Sequence, residues 1–308
     1  MKRLRDFFKN SSYAGFLYAI LSVVFMSPIF IIVSIVTREM PTETANFMFF
    51  GSGLLVTFAI STMQKKNTHI IKLARNHFRP LFLLGAINAA AAILFFMGIK
   101  AIGPSTAAFI SRFETVFTIF LGAVILKEKF GKVDALGIAI TVIGALLITY
   151  SDVSIALGSF LILASSVIIS FQRILLKKHV SRIRPSELNQ LRLLFTTSLL
   201  LVYVVATSKL VVPSVGNALL IMLGGIMAPV IGFYFMLKSM ERMEVSKTMT
   251  IKAIEPFAVI VMASTLLGSS ISPEQVFGGG IMITGIIILA VAHKRQAVNK
   301  SQITVAVD

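Results

Sequence analysis

The sequence predicts an all-α membrane protein of ten transmembrane helices in two inverted five-helix repeats, and three observations carry that prediction. The first is solvent preference. Of 308 residues, 56% are hydrophobic and 14% charged, with a mean hydropathy of +0.89, whereas a soluble domain carries about 25% charged residues. The second is an internal echo. Residues 104–148 slide onto 245–289 without a gap, so that Ser105 meets Ser246, Glu114 meets Glu255, Gly137 meets Gly278 and Gly144 meets Gly285. A glutamate inside an apolar run, followed by glycines seven apart in the next run, is an unusual choice to make twice. The third is the alternation of basic residues between the runs.

Apolar runs of spanning length fall at 13–36, 44–63, 80–99, 104–126 and 133–150, then at 154–176, 188–207, 216–237, 247–268 and 275–292. Ten spans of about 20 residues fill about two thirds of the chain and leave only short loops and tails. Helix is the expected element, because lipid satisfies no open backbone group and the runs exceed a barrel strand. Lys2, Arg3, Arg5 and Lys9 precede a first run far longer than the about 7–15 residues of a signal core, so it reads as a retained span. With the N-terminus inside, only Arg38, Lys100 and Lys209 fall in outer loops. Arg112, Arg173, Arg192 and Lys252 lie within runs, which leaves 22 of the 29 Lys and Arg in inner segments. That bias sets a multi-pass protein of the cytoplasmic (inner) membrane with both termini in the cytoplasm.

Five spans per half is an odd number, so the second half enters the bilayer upside down relative to the first. The expected units are 1–150, 151–293 and a cytoplasmic tail, 294–308. Gly15 and Gly158 open the two halves, and Pro41 with Glu43 is echoed by Pro185 with Glu187. The basic segment 64–80 is expected as an inner loop or an interfacial stretch.

Several functions are excluded. Cysteine is absent, which removes disulfides and thiolate metal sites. The charge of +16 follows from the inner-loop bias and comes with no basic module for nucleic acid. His69, His77, His179 and His293 have no zinc spacing, and no serine elbow or phosphate-binding loop occurs. No enzyme activity, metal or cofactor is expected. The implied partners are the lipid bilayer and a small-molecule substrate, with protons as a coupling ion.

Glu114 and Glu255 are the leading site residues. Each lies about 8–10 residues, roughly 12–15 Å, into its run, near the bilayer midplane. A charge there costs about 2.5–3.5 kcal/mol, and such residues persist where they face a cavity or a partner. Two readings fit: substrate or proton binding, and structural pairing between repeats. Arg112 and Lys252 are the possible counter-ions, Arg112 reaching Glu255 and Lys252 reaching Glu114 or, three residues on, Glu255. A site with both signs suits a zwitterion such as an amino acid.

Pro256 and Pro28 mark helix breaks of the kind that borders a cavity. Gly137, Gly144, Gly278 and Gly285 put small residues on single faces for close helix packing. Asn88 and Tyr234 are further cavity candidates. Gln172, Arg173 and Arg192 rank with them, Arg173 being read as snorkelling toward the inner face, and Ser22, Ser166 and Ser170 rank lower.

These features together resemble the EamA-type members of the drug/metabolite transporter superfamily. The likeness covers the whole chain and rests on the paired five-helix halves, the IEPF motif at 254–257, the SRFETVFTIFLGAVILKEK stretch at 111–129 and the glycine-bearing fifth and tenth runs. It implies alternating-access transport of a small metabolite, usually export, through a central cavity. An importer of nucleotide-like or sulfonium metabolites is the alternative within transport, and a non-transporting membrane scaffold or regulator is the alternative outside it. Two positions depart from the pattern. Thr115 stands where a proline often follows the acid, so the two halves are expected to bend differently, and Glu128 has Ser269 as its counterpart, which makes it a loop anchor.

Overall fold

A chain this apolar has to pair its backbone internally, and the described residues do so with helices alone. The computed structural model describes residues 11–126, 132–149, 153–180, 183–243, 245–269, 272–273 and 276–288. Glu128, the N-terminal basic residues and the 294–308 tail lie outside them. The first half comprises α1 (Ser11–Met26), α2 (Pro28–Val36), α3 (Thr42–Met63), α4 (Asn67–Asn76), α5 (Phe78–Ile102), α6 (Pro104–Ile110), α7 (Phe113–Leu126) and α8 (Lys132–Thr149). The second comprises α9 (Val153–Val180), α10 (Pro185–Ala206), α11 (Val215–Ile226), a π-helical turn (Met227–Gly232), α12 (Phe233–Arg242), α13 (Val245–Lys252), α14 (Glu255–Leu267) and α15 (Val276–Ile288).

Six helical stretches are long and apolar enough to cross a membrane: Ala14–Val36, Thr42–Met63, Phe78–Ile102, Leu157–Lys177, Pro185–Ala206 and Val215–Arg242. Ala135–Gly144, Glu255–Leu267 and Val276–Ile288 are apolar but shorter. The 64–80 segment contains the amphipathic α4, which buries Ile70 while Lys72 and Arg75 stay exposed.

Packing repeats in a two-fold pattern. In the first half, α5 lies on α9; in the second, the counterpart α12 lies on α1. Likewise α6 packs on α9 as α13 packs on α1, α6 meets α14 as α13 meets α7, and α3 meets its own counterpart α10. Small residues make the close contacts. A side chain at Gly144 would meet Gly278 O and Met282 N at 2.5 Å, and one at Gly285 would meet Thr141 N at 2.6 Å and Gly137 O at 2.7 Å. These four buried glycines thus form one reciprocal seam between α8 and α15.

The helices break where the site lies. Ser111 and Arg112 separate α6 from α7, and Ala253 and Ile254 separate α13 from α14, one position later in the alignment of the halves. At both, the backbone tightens to i−3 bonds: Arg112 N–H to Phe109 O at 2.9 Å and Glu114 N–H to Ser111 O at 3.1 Å, against Ile254 to Ile251 at 3.3 Å and Phe257 to Ile254 at 3.1 Å. The expectation that Thr115 would make the first half bend differently is therefore corrected: both halves break, with a proline in only one. Pro28 opens α2 just after Ser27. Pro229, with no N–H to give, sits in the π-helical turn.

Candidate functional site

Each break places its glutamate in the first turn of a half-helix, Glu114 in α7 and Glu255 in α14, where the helix dipole favours an anion. The breaks are then stitched to each other. Arg112 donates Nη1 to Lys252 O, a carbonyl at the end of α13, at 2.8 Å, and Nη2 to Glu255 Oε2 at 2.8 Å. Ser111 Oγ takes a further Arg112 bond at 3.1 Å. From α9, Ser170 Oγ donates to Glu114 O at 3.0 Å. Arg112 thus satisfies a carbonyl that the end of α13 leaves open, and the Ser170 bond is an added one on a carbonyl within α7.

The ion pairs differ in part from the sequence expectation. Arg112 pairs with Glu255 across the halves, and Lys252 Nζ stands 3.4 Å from the same Glu255 Oε2 and 3.4 Å from Met26 Sδ. Glu114, which Lys252 was expected to reach, is held instead by Arg173 Nε at 2.5 Å. Arg173 does not snorkel: it is 4% exposed. The signal that could have found it is a polar stripe along α9, Ser166, Ser170 and Arg173, at helical spacing on one face.

These groups line a central cavity of about 110 Å³, far above the roughly 10–15 Å³ that one water needs. Its wall has two characters. The charged Arg112, Glu114, Arg173, Arg192, Lys252 and Glu255 supply one, and the aromatic Phe30, Phe49, Phe50, Phe95 and Phe96 the other. The rings are locked edge to face, Phe30 with Phe95 at 5.2 Å and Phe49 with Phe96 at 5.5 Å. Asn88 belongs to the polar wall, its Oδ1 accepting from Gln172 Nε2 at 3.2 Å and Arg192 Nη1 at 2.7 Å. Arg192, which sequence reasoning ranked only among the secondary residues, is 1% exposed and lies over the Phe233 ring at 3.7 Å.

Tyr234 does not belong to this wall. It lines a second pocket of about 230 Å³ with Ser61, Gln64, Glu187 and Gln190, and its ring packs on Phe235. Position 234 is next to Phe233, and the turn of α12 aims the two side chains apart; sequence alone does not say which faces inward. Pro256 lies one residue beyond Glu255, and Met26, just before the break at Pro28, lines the cavity.

Helices of membrane length around a charged cavity walled by both halves define the class, a multi-pass membrane protein. Residues 13–150 and again 156–291 match the EamA-like transporter family, to which the chain belongs. An uncharacterized transporter of Clostridium kluyveri is 24% identical over 298 residues, covering 91% of this chain and 94% of that one. The uncharacterized transporter YyaM of Bacillus subtilis is 25% identical over 260 residues, 80% of this chain and 83% of that protein. A solved crystal structure superposes with a TM-score of 0.68 at 16% identity, over 91% of this chain and 98% of its own, a likeness of fold alone.

Proposed function

We propose that this chain is a secondary transporter that moves a small metabolite by alternating access through the central cavity, with export as its direction. The observation that carries this reading is the composition of the cavity wall. Both halves contribute a broken helix, and each break delivers a buried glutamate into one shared space. A membrane scaffold or regulator has no use for such a cavity, and intramembrane charges facing dry packing or lipid would have favoured that alternative.

The reading includes ten spans: α1 with α2, α6 with α7, α11 with α12, and α13 with α14 each make one interrupted pass. The halves 1–150 and 151–293 are then inverted, with both termini in the cytoplasm of a cell whose cytoplasmic membrane holds the protein. The two-fold exchange of packing partners supports that plan. Protons are the proposed coupling ion, acting at Glu114 and Glu255. Amino acids fall within the proposed substrate range through their carboxylate, because both acids of the wall already have a guanidinium partner in place of an ammonium.

Flux of a metabolite panel in proteoliposomes tests the reading. Ala92 is small and lines the cavity, so Ala92→Trp fills it and is expected to abolish flux while the protein still elutes as a monodisperse species. Wild-type flux through the filled variant would contradict the proposal. Glu114→Gln and Glu255→Gln are expected to flatten the dependence of flux on pH; unchanged profiles in both would remove coupling from their roles.

A further inference from the structure

The cavity wall is out of charge balance. Four cations, Arg112, Arg173, Arg192 and Lys252, face two acids, Glu114 and Glu255, and all six are buried. Arg112 and Arg173 each hold a carboxylate, and Lys252 shares Glu255. Arg192 has no carboxylate within ion-pair distance among the described residues. An uncompensated buried charge is strongly unfavourable unless something completes it.

Arg192 is held in place without being neutralised. Nη1 donates to Asn88 Oδ1 at 2.7 Å, and Nη2 and Nε donate to Asn189 Oδ1 at 2.8 and 3.3 Å. The guanidinium face lies on Phe233 at 3.7 Å, and Arg173 is 5.6 Å from the same ring. Both partners are neutral amide oxygens, so the full positive charge survives, and two of its five N–H groups are left over. This is how a residue is fixed to receive a ligand rather than to close an ion pair.

The unsatisfied groups point the same way. Among the described cavity-lining residues, the buried polar atoms with no partner are Asn88 Nδ2, Arg112 Nε and Arg173 Nη1. All three are donors. The Asn88 amide is oriented by two donors converging on its Oδ1, which leaves Nδ2 as the free end. A wall of spare donors with surplus positive charge calls for an acceptor carrying negative charge.

We propose that the cavity selects small net-anionic organic solutes, with Arg192 receiving the carboxylate beside Asn88 Nδ2 and Arg173 Nη1, and the aromatic wall taking the apolar body. This rests on the transport reading given above. It excludes sulfonium and other cationic solutes and ranks zwitterions below net anions.

The chain has no tryptophan or cysteine, so thermal unfolding of the purified full chain in detergent is followed by circular dichroism. Succinate and glutamate represent the anions, alanine the zwitterions, alaninamide and choline the cations, and inorganic phosphate a bare oxyanion, all at constant ionic strength. The anions are expected to raise the midpoint most. Arg192→Gln is expected to weaken their binding about tenfold or more, with Arg192→Lys between the two. Equal or greater stabilisation by alanine or the cations, wild-type affinity in Arg192→Gln, or no stabilisation by any organic anion would each overturn the proposal. Phosphate acting as well as succinate would reduce the claim to oxyanion binding and refute the organic selectivity. If Arg192→Gln does not fold, the wild-type ranking decides alone. The two readings fail separately: flux carried best by cations or zwitterions sinks this inference and leaves transport standing, whereas wild-type flux through Ala92→Trp sinks the transport route itself.

Discussion

The two broken helices carry the same acid at the same aligned position and hold it by different means. In the second half, Glu255 is followed by a proline and has two cations, Arg112 at 2.8 Å and Lys252 at 3.4 Å. In the first, Glu114 is followed by Thr115 and has Arg173 alone as its ion-pair partner among the described residues, at 2.5 Å. The proline is therefore not what breaks the helix. What both breaks share is a side chain donating to a carbonyl beside the break, Arg112 on Lys252 O and Ser170 on Glu114 O. The two halves thus share the acid and compensate it differently.

That asymmetry makes Arg173→Gln the most damaging single change. It strands Glu114 without a counter-ion, and removing one partner of a buried pair costs about 3–5 kcal/mol; a fall in the thermal midpoint of the purified protein is the check. Lys252→Gln is expected to cost about 1 kcal/mol, because Glu255 keeps its shorter bond to Arg112. Equal losses in these two variants would erase the distinction between one partner and two. Thr115→Pro transplants the proline into the first half and removes the Thr115 N–H bond to Arg112 O, 2.9 Å long. A loss of about 1 kcal/mol is expected, with the break preserved.

A smaller effect is expected at the rim. Glu43 accepts from Lys209 Nζ at 2.7 Å, and Thr44 Oγ1 donates to Lys209 O. The counterpart Glu187 stands 3.6 Å from His69. Each acid begins a helix and meets a basic residue from the other half. The Glu43 hydrogen bond raises Lys209 above the ordinary lysine value. Its contribution is thus fully present below that ordinary value and lost as pH rises through the folded one. Lys209→Gln should leave the neutral midpoint nearly unchanged and reduce the additional loss at alkaline pH.

Much of this was legible from residues that are expensive to keep in lipid. Glu114, Glu255, Arg112 and Lys252 stand out in apolar runs, and all four line one cavity. The glycine pairs were legible because a small residue repeated at heptad spacing has few other uses. Pairing was less so. One-dimensional spacing shows that Lys252 and Glu255 share a face, but not that α9 delivers Arg173 to Glu114, a contact between residues 59 apart. The place of Tyr234 was hidden for the same reason, since the π-helical turn at Pro229 resets the phase of everything after it in that helix. Helix breaks without proline were invisible as well; they come with donors from other helices, as Arg112 and Ser170 supply here.

Because the chain has no native cysteine, Ala92→Cys places one reactive thiol on the cavity wall in an otherwise silent background. Labelling in right-side-out and inverted vesicles with a membrane-impermeant maleimide then asks whether water reaches the cavity from each face in turn. Modification from both faces, slowed by a saturating transported solute, is the predicted result. A thiol that stays unreactive from both faces, while a cysteine placed at Lys209 labels readily, would contradict the cavity as the solute route.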